Sequence, residues 1–143
     1  MKYTEFYEHL ERNQIPHVLY HATFAALAKR IEREGIIAGG KDIRHFPDSE
    51  KGVYLGIDAD YAGSMAEAAI DENPNIPEEW YDEIVIISID TSKLDLTKLD
   101  RDPHVLPQDD EYDDSIPPDE TIYSFIYRGN IPKEAIISID DYI

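Results

Sequence analysis

Three short segments carry the side chains best suited to chemistry: Leu19-Tyr20-His21-Ala22-Thr23, then Gly52-Val53-Tyr54-Leu55, then Asp119-Glu120-Thr121-Ile122-Tyr123. Each sets one functional group, an imidazole, a phenol ring or a carboxylate, at or beside a strand-like apolar run. A rigid strand backbone can aim all three into one cleft, which is how sites are usually built. Taken singly, each residue also has a plainer account. Tyr20 and Tyr54 are ordinary β-formers that fill cores. His21, two residues before Thr23, fits a satisfied histidine near a helix cap, and Glu120 beside Asp119 fits a solvated strand entry.

The elements that must position these groups follow from periodicity and punctuation. Tyr3, Phe6, Tyr7 and Leu10 recur at helical spacing, so residues 1–16 read as an N-terminal helical extension that Pro16 closes. A short strand, Val18 to His21, leads into a helix from Phe24 to Glu34, with Leu27 and Ile31 on one face and Lys29, Arg30 and Arg33 on the other; Gly35 fits as its stop. Gly39 to Lys51 reads as a surface loop. Val53 to Leu55 gives a second strand and Asp58 to Ile70 an alanine-rich helix with Asp58 or Asp60 as N-cap. Beyond a proline-bearing connection, Asn73 to Trp80, the run Ile84-Val85-Ile86-Ile87 within Glu83 to Ile89 predicts a strand buried on both faces.

Thr91 to Asp100 reads as a turn-and-helix unit packed by Leu94, Leu96 and Leu99, and Arg101 to Pro118 as a long acidic, proline-bearing loop. Two strands, Thr121 to Tyr127 and Ala135 to Ile139, finish the chain. Helices interspersed early with strands gathered late predict an α+β domain with a mixed or antiparallel sheet. With 143 residues, a single domain over 1–143 can bury its own core.

Composition narrows the function classes. The chain has no cysteine, which excludes disulfides, thiolate zinc sites and cysteine nucleophiles. The histidines show no ligand spacing and the acids match no calcium loop, so no metal is expected. No stretch approaches the roughly 20 apolar residues of a membrane span, and Met1 to Glu5 lacks the apolar run of a signal peptide, so the chain reads as soluble and cytoplasmic. The formal net charge of −18, from 31 acidic against 13 basic residues, repels phosphate backbones and suits basic partners, while also serving solubility.

Taken in order, the three segments resemble the motifs of the poly(ADP-ribose) polymerase-like ADP-ribosyltransferases of the His-Tyr-Glu type, over about Leu19 to Ile139. In that family an apolar-aromatic-His-Gly-Ser/Thr strand is followed by a helix, then a Gly-x-Tyr strand, then a glutamate that starts a strand. The resemblance implies the family's split sheets with flanking helices and NAD bound between two small sheets. It implies cleavage of the nicotinamide–ribose bond with ADP-ribose passed to a protein side chain or to water. By the same resemblance Glu120 would hold the ribose 2′-hydroxyl and stabilise developing positive charge, His21 would hydrogen-bond ribose hydroxyls, and Tyr54 would lie against the nicotinamide. Ala22 stands where the family has a glycine whose backbone grips the carboxamide, and Thr23 at the hydroxyl position near the adenine-side ribose. Tyr61, Ser64 and Met65 occupy the second-wall region without a clean match. Arg44 and His45, in the loop before Tyr54, could meet the diphosphate or simply be exposed.

The ending Arg128-Gly129-Asn130-Ile131-Pro132-Lys133-Glu134-Ala135-Ile136 is also similar to the last motif of the NAD-dependent RNA 2′-phosphotransferases, but those have histidine where Tyr54 stands and basic surroundings. The acids from Asp102 to Asp119 would oppose a nucleic-acid acceptor and suit a basic protein. A small transferase domain of this kind is expected of a toxin, a phage effector or a regulator of host proteins. Two non-catalytic accounts stand beside it: an acidic inhibitor occupying a basic site, and a sensor of an NAD-derived nucleotide.

Overall fold

The computed structural model describes residues 15–38, 52–102 and 122–142. Residues 1–14 of the N-terminal extension, the loop holding Arg44 and His45, most of the acidic loop and Glu120 lie outside them.

Six strands form one sheet in the order β4-β5-β2-β1-β3-β6, comprising β1 (Val18–Phe24), β2 (Val53–Gly56), β3 (Ile84–Asp90), β4 (Leu99–Arg101), β5 (Ser124–Tyr127) and β6 (Ile136–Asp141). Every pairing is antiparallel. The α+β class therefore stands, but the expected pair of separate small sheets is corrected to one continuous antiparallel sheet. The reason is a single register pair, Tyr20↔Gly56, which joins β1 to β2 and with it the two three-stranded halves. Within each half the ladders are long: β1 pairs β3 over all seven of its residues, from Val18↔Asp90 to Phe24↔Ile84.

Two helices cover opposite faces. Helix α1 (Ala25–Glu34) follows β1 without a loop and packs Leu27 and Ile31 over Leu19, Val53, Leu55, Ile87 and Phe125. Helix α2 (Ala59–Glu72) lays Ala62, Ala66 and Ala69 over Ala22, Phe24, Ile84 and Ile86. Alternate residues of β3 thus enter different cores, which explains why its sequence opens on an unbroken apolar run, Ile84 to Ile87. The alanine row lets α2 lie close to the sheet. Gly63 extends that closeness, since a Cβ there would collide with the Tyr142 ring.

The caps follow the sequence. Asp58 accepts from the Tyr61 N–H at 2.7 Å and starts α2. Gly35 ends α1 at φ 80° and ψ −171°, a conformation essentially restricted to glycine, while its N–H donates to the Ile31 carbonyl at 2.8 Å. The chain then turns at once into a bridge in which Ile36 and Ile131 exchange N–H···O bonds of 2.9 and 2.8 Å. Residues Thr91 to Asp100 differ from the expected turn-and-helix. Two 3₁₀ turns, capped by Asp90 and Asp95 side chains, deliver the chain into edge strand β4, because Leu99 must pair with Tyr127.

Gly35→Ala should destabilise the protein by about 1–3 kcal/mol from backbone conformation alone, and by more because a Cβ would collide with the Ile131 carbonyl. A lower urea midpoint at unchanged m-value is the expected result.

Candidate functional site

The site begins where the β1–β2 ladder stops. On the far side of β1, the Ala25 N–H donates to the Glu83 carbonyl and the Thr91 N–H to the His17 carbonyl, which sets the phase of the β1–β3 ladder. Odd-numbered β1 residues therefore direct their backbone groups to β3, and Tyr20 and Ala22 direct theirs toward β2. The bond from the Ile57 N–H to the Tyr123 carbonyl fixes β2 likewise, with Tyr54 and Gly56 facing β1. A continued ladder would pair Ala22 with Tyr54, two steps beyond Tyr20↔Gly56. Instead the Tyr54 carbonyl is bonded by His21 Nδ1 at 2.9 Å, across 33 residues of sequence. A side chain has replaced the next rung, and the backbone edge of Ala22 is left along the wall of an opening.

That opening is a cleft enclosing about 970 Å³ of non-atom space, solvent at its mouth included. His21, Ala22 and Thr23 of β1 line it together with Tyr54 of β2 and Tyr61 of α2. Residues of α1 and of α2 both contribute, so the cleft is walled from both sides of the sheet. Gly56 permits the tight turn from β2 into α2, because a Cβ there would lie 3.0 Å from Tyr61 Cδ1 and 3.1 Å from the Ala62 nitrogen.

A carbonyl only accepts, so His21 carries its proton on Nδ1, and Nε2 is the acceptor of the neutral ring. Burial holds its pKa below the usual 6.5, although the bond to the Tyr54 carbonyl works the other way. At neutral pH the imidazole is therefore uncharged.

Tyr61 belongs to a second polar arrangement. The Ser124 hydroxyl acts on its phenol and donates at 2.9 Å to the Asp102 carboxylate, Ser124 and Asp102 each being 2% exposed. Burial raises the Tyr61 phenol pKa; the Ser124 hydroxyl opposes that rise and the Asp102 charge adds to it. The Tyr61 ring also stacks on Tyr123, with centroids 6.3 Å apart and planes inclined 26°. Of the three residues read as second-wall candidates, Tyr61 and Met65 line the cleft. Ser64 is exposed and its hydroxyl donates to the Tyr61 carbonyl at 2.8 Å.

Ser124, Asp102 and Arg30 at this site were not legible beforehand. Asp102 is one acid in a run of acids, and only the pairing of β4 with β5 sets it behind Ser124, with its N–H on the Ser124 carbonyl at 2.9 Å. Arg30 belongs to a helix face that reads as solvated, yet it lines the cleft. Among the described residues no group of three or more potential ligands could hold a metal, and no helix is long and apolar enough to cross a membrane. No protein-family model matches the chain, and comparison with curated proteins finds no match.

Two outcomes are expected. Because the His21 pKa is depressed by folding, the unfolded chain binds a proton below about pH 6.5 that the folded chain does not. Stability from this group is complete above that pH and falls as pH drops through it. Unfolding free energy followed from pH 7.5 to 5 should therefore show a steeper decline for the native protein than for His21→Gln. Ser124→Ala removes one donor from a buried carboxylate and should cost about 1–3 kcal/mol, read as a lower denaturation midpoint.

Proposed function

We propose that the chain binds NAD in the cleft between β1 and β2, breaks its nicotinamide–ribose bond, and passes ADP-ribose to a protein side chain or to water. The observation that carries the proposal is the meeting of His21, Ala22, Thr23, Tyr54 and Tyr61, from three separate elements, around one opening. All but Tyr61 belong to segments that resemble motifs of the ADP-ribosyltransferases, and Tyr61 stands on the helix that follows the second.

The chemistry suits these groups. The C1′–N bond breaks with its electron pair going to the ring nitrogen, so nicotinamide leaves neutral and needs no proton from a general acid. Positive charge develops at the ribose carbon, in an oxocarbenium-like state. An acceptor oxygen or nitrogen then bonds to C1′ and gives up its proton. Protein groups contribute by holding the substrate and by stabilising that charge. In this reading the Ala22 N–H donates to the carboxamide oxygen and the Ala22 carbonyl accepts from its amide, using the backbone edge that the interrupted ladder leaves beside the cleft. Neutral His21 accepts a ribose hydroxyl at Nε2; a protonated ring there would add positive charge beside the cationic ribose carbon and oppose the reaction. The Tyr54 ring offers a face to nicotinamide, and Tyr61 and Met65 form the facing wall. Glu120 supplies the carboxylate. The acidic surface favours a basic protein as acceptor and disfavours polymer growth, since each added unit brings further phosphates.

The test is nicotinamide release from NAD by the purified protein, with a cell lysate as acceptor source. Release should fall about a hundredfold in Glu120→Gln, and labelled protein bands would separate transfer from hydrolysis. Tight NAD binding without release would favour a nucleotide sensor. Absence of both binding and release would overturn the reading.

A further inference from the structure

The charge of the cleft runs opposite to that of the chain. Acidic residues outnumber basic ones by 31 to 13, yet among the described residues lining the cleft none is acidic. One, Arg30, carries a formal charge at neutral pH. His21 adds no charge, as its depressed pKa keeps it neutral. A cleft made for a cationic peptide would draw on the abundant carboxylates. Described walls that carry no carboxylate and one cation match an anionic ligand.

Arg30 is placed for that role by its helix. Leu27 and Ile31 of α1 also line the cleft, so the Arg30 stem shares their wall while its head reaches solvent. The guanidinium Nε bonds Glu34 Oε2 at 3.1 Å, with the two side chains 54% and 50% exposed. This i,i+4 pair engages one of the five guanidinium donors and steadies the side chain. The two terminal nitrogens of the fork have the geometry that two phosphate oxygens require.

We propose that Arg30 is the anion anchor of the cleft, taking the diphosphate of a nucleotide through its terminal nitrogens while Glu34 holds Nε. The assignment, which rests on the NAD reading above, gives the diphosphate a protein partner on α1, on the wall opposite Tyr61 and Met65 of α2.

Binding of ADP-ribose and of nicotinamide, measured by calorimetry at low salt, tests it with three variants. Arg30→Gln should weaken ADP-ribose binding about tenfold or more and leave nicotinamide binding unchanged. Arg30→Lys, which keeps the charge and loses the fork, should fall between. Arg33→Gln makes the same change in net charge on the same helix, at an exposed residue outside the cleft lining, and should alter ADP-ribose binding less than about threefold. Equal losses in Arg30→Gln and Arg33→Gln would mean that only the overall field acts, and would overturn the anchor. So would unchanged ADP-ribose binding in Arg30→Gln, or loss of both probes together. A native protein that binds neither ADP-ribose nor NAD would instead overturn the NAD reading, and the anchor with it.

Discussion

The hydrogen bond from His21 Nδ1 to the Tyr54 carbonyl is the constraint on which the rest of the site depends. An antiparallel ladder left to itself continues, since unpaired backbone groups beside a neighbouring strand are costly. Here the rung after Tyr20↔Gly56 is occupied by an imidazole, which satisfies one carbonyl while keeping the strands apart. The bond therefore does three things at once: it ends the pairing, it fixes the histidine tautomer, and it leaves the backbone edge of Ala22 beside a cleft.

The surrounding fold makes such an interruption tolerable. Each half of the sheet is held by its own ladders, and each face is sealed by a helix whose apolar row matches one parity of the strand residues. Loss of a rung between the halves is small against the burial of residues such as Leu19, Leu55, Ile87 and Phe125, each worth roughly 2–5 kcal/mol on truncation to alanine. Stability thus resides in the two cores, and the opening between β1 and β2 is free to serve binding.

Much of this was legible in the sequence, because it follows from local signals. The Asp58 cap, the Gly35 stop, the buried β3 run and the alanine-rich helix are each written within a few residues, and the structure places them within one or two positions of the expected bounds. The joining of the sheet halves was not legible, since one register pair leaves no pattern in composition. Strand β4 was missed for a similar reason: three residues following two 3₁₀ turns offer no periodicity, and Leu94, Leu96 and Leu99 suit a helix equally well. His21 and Tyr54 stand out by their placement at strand edges and Ala22, Thr23 and Tyr61 only by resemblance, and the structure brings all five to one cleft. Ser124, Asp102 and Arg30 were not legible, because their significance arises only when β4 meets β5 and when α1 is laid on its face of the sheet. Glu120 and Arg44 lie outside the described residues.

The strand order also bears on how the chain reaches its native state. No two neighbouring strands are joined by a tight turn: β1 meets β2 and then β3 across tens of residues, β2 waits for β5, and β3 for β6. Pairings of this kind must close long loops before any contact rewards them, which places such domains among the slower folders, on a scale of roughly milliseconds to seconds. The walls of the cleft come from β1, β2 and both helices, with Ser124 of β5 beside them, so it is complete only once β1 and β2 have met. A ligand that recognises the finished cleft has nothing to grip in the unfolded ensemble, so at free concentration L it stabilises the folded protein by RT ln(1 + L/Kd), rising with its concentration.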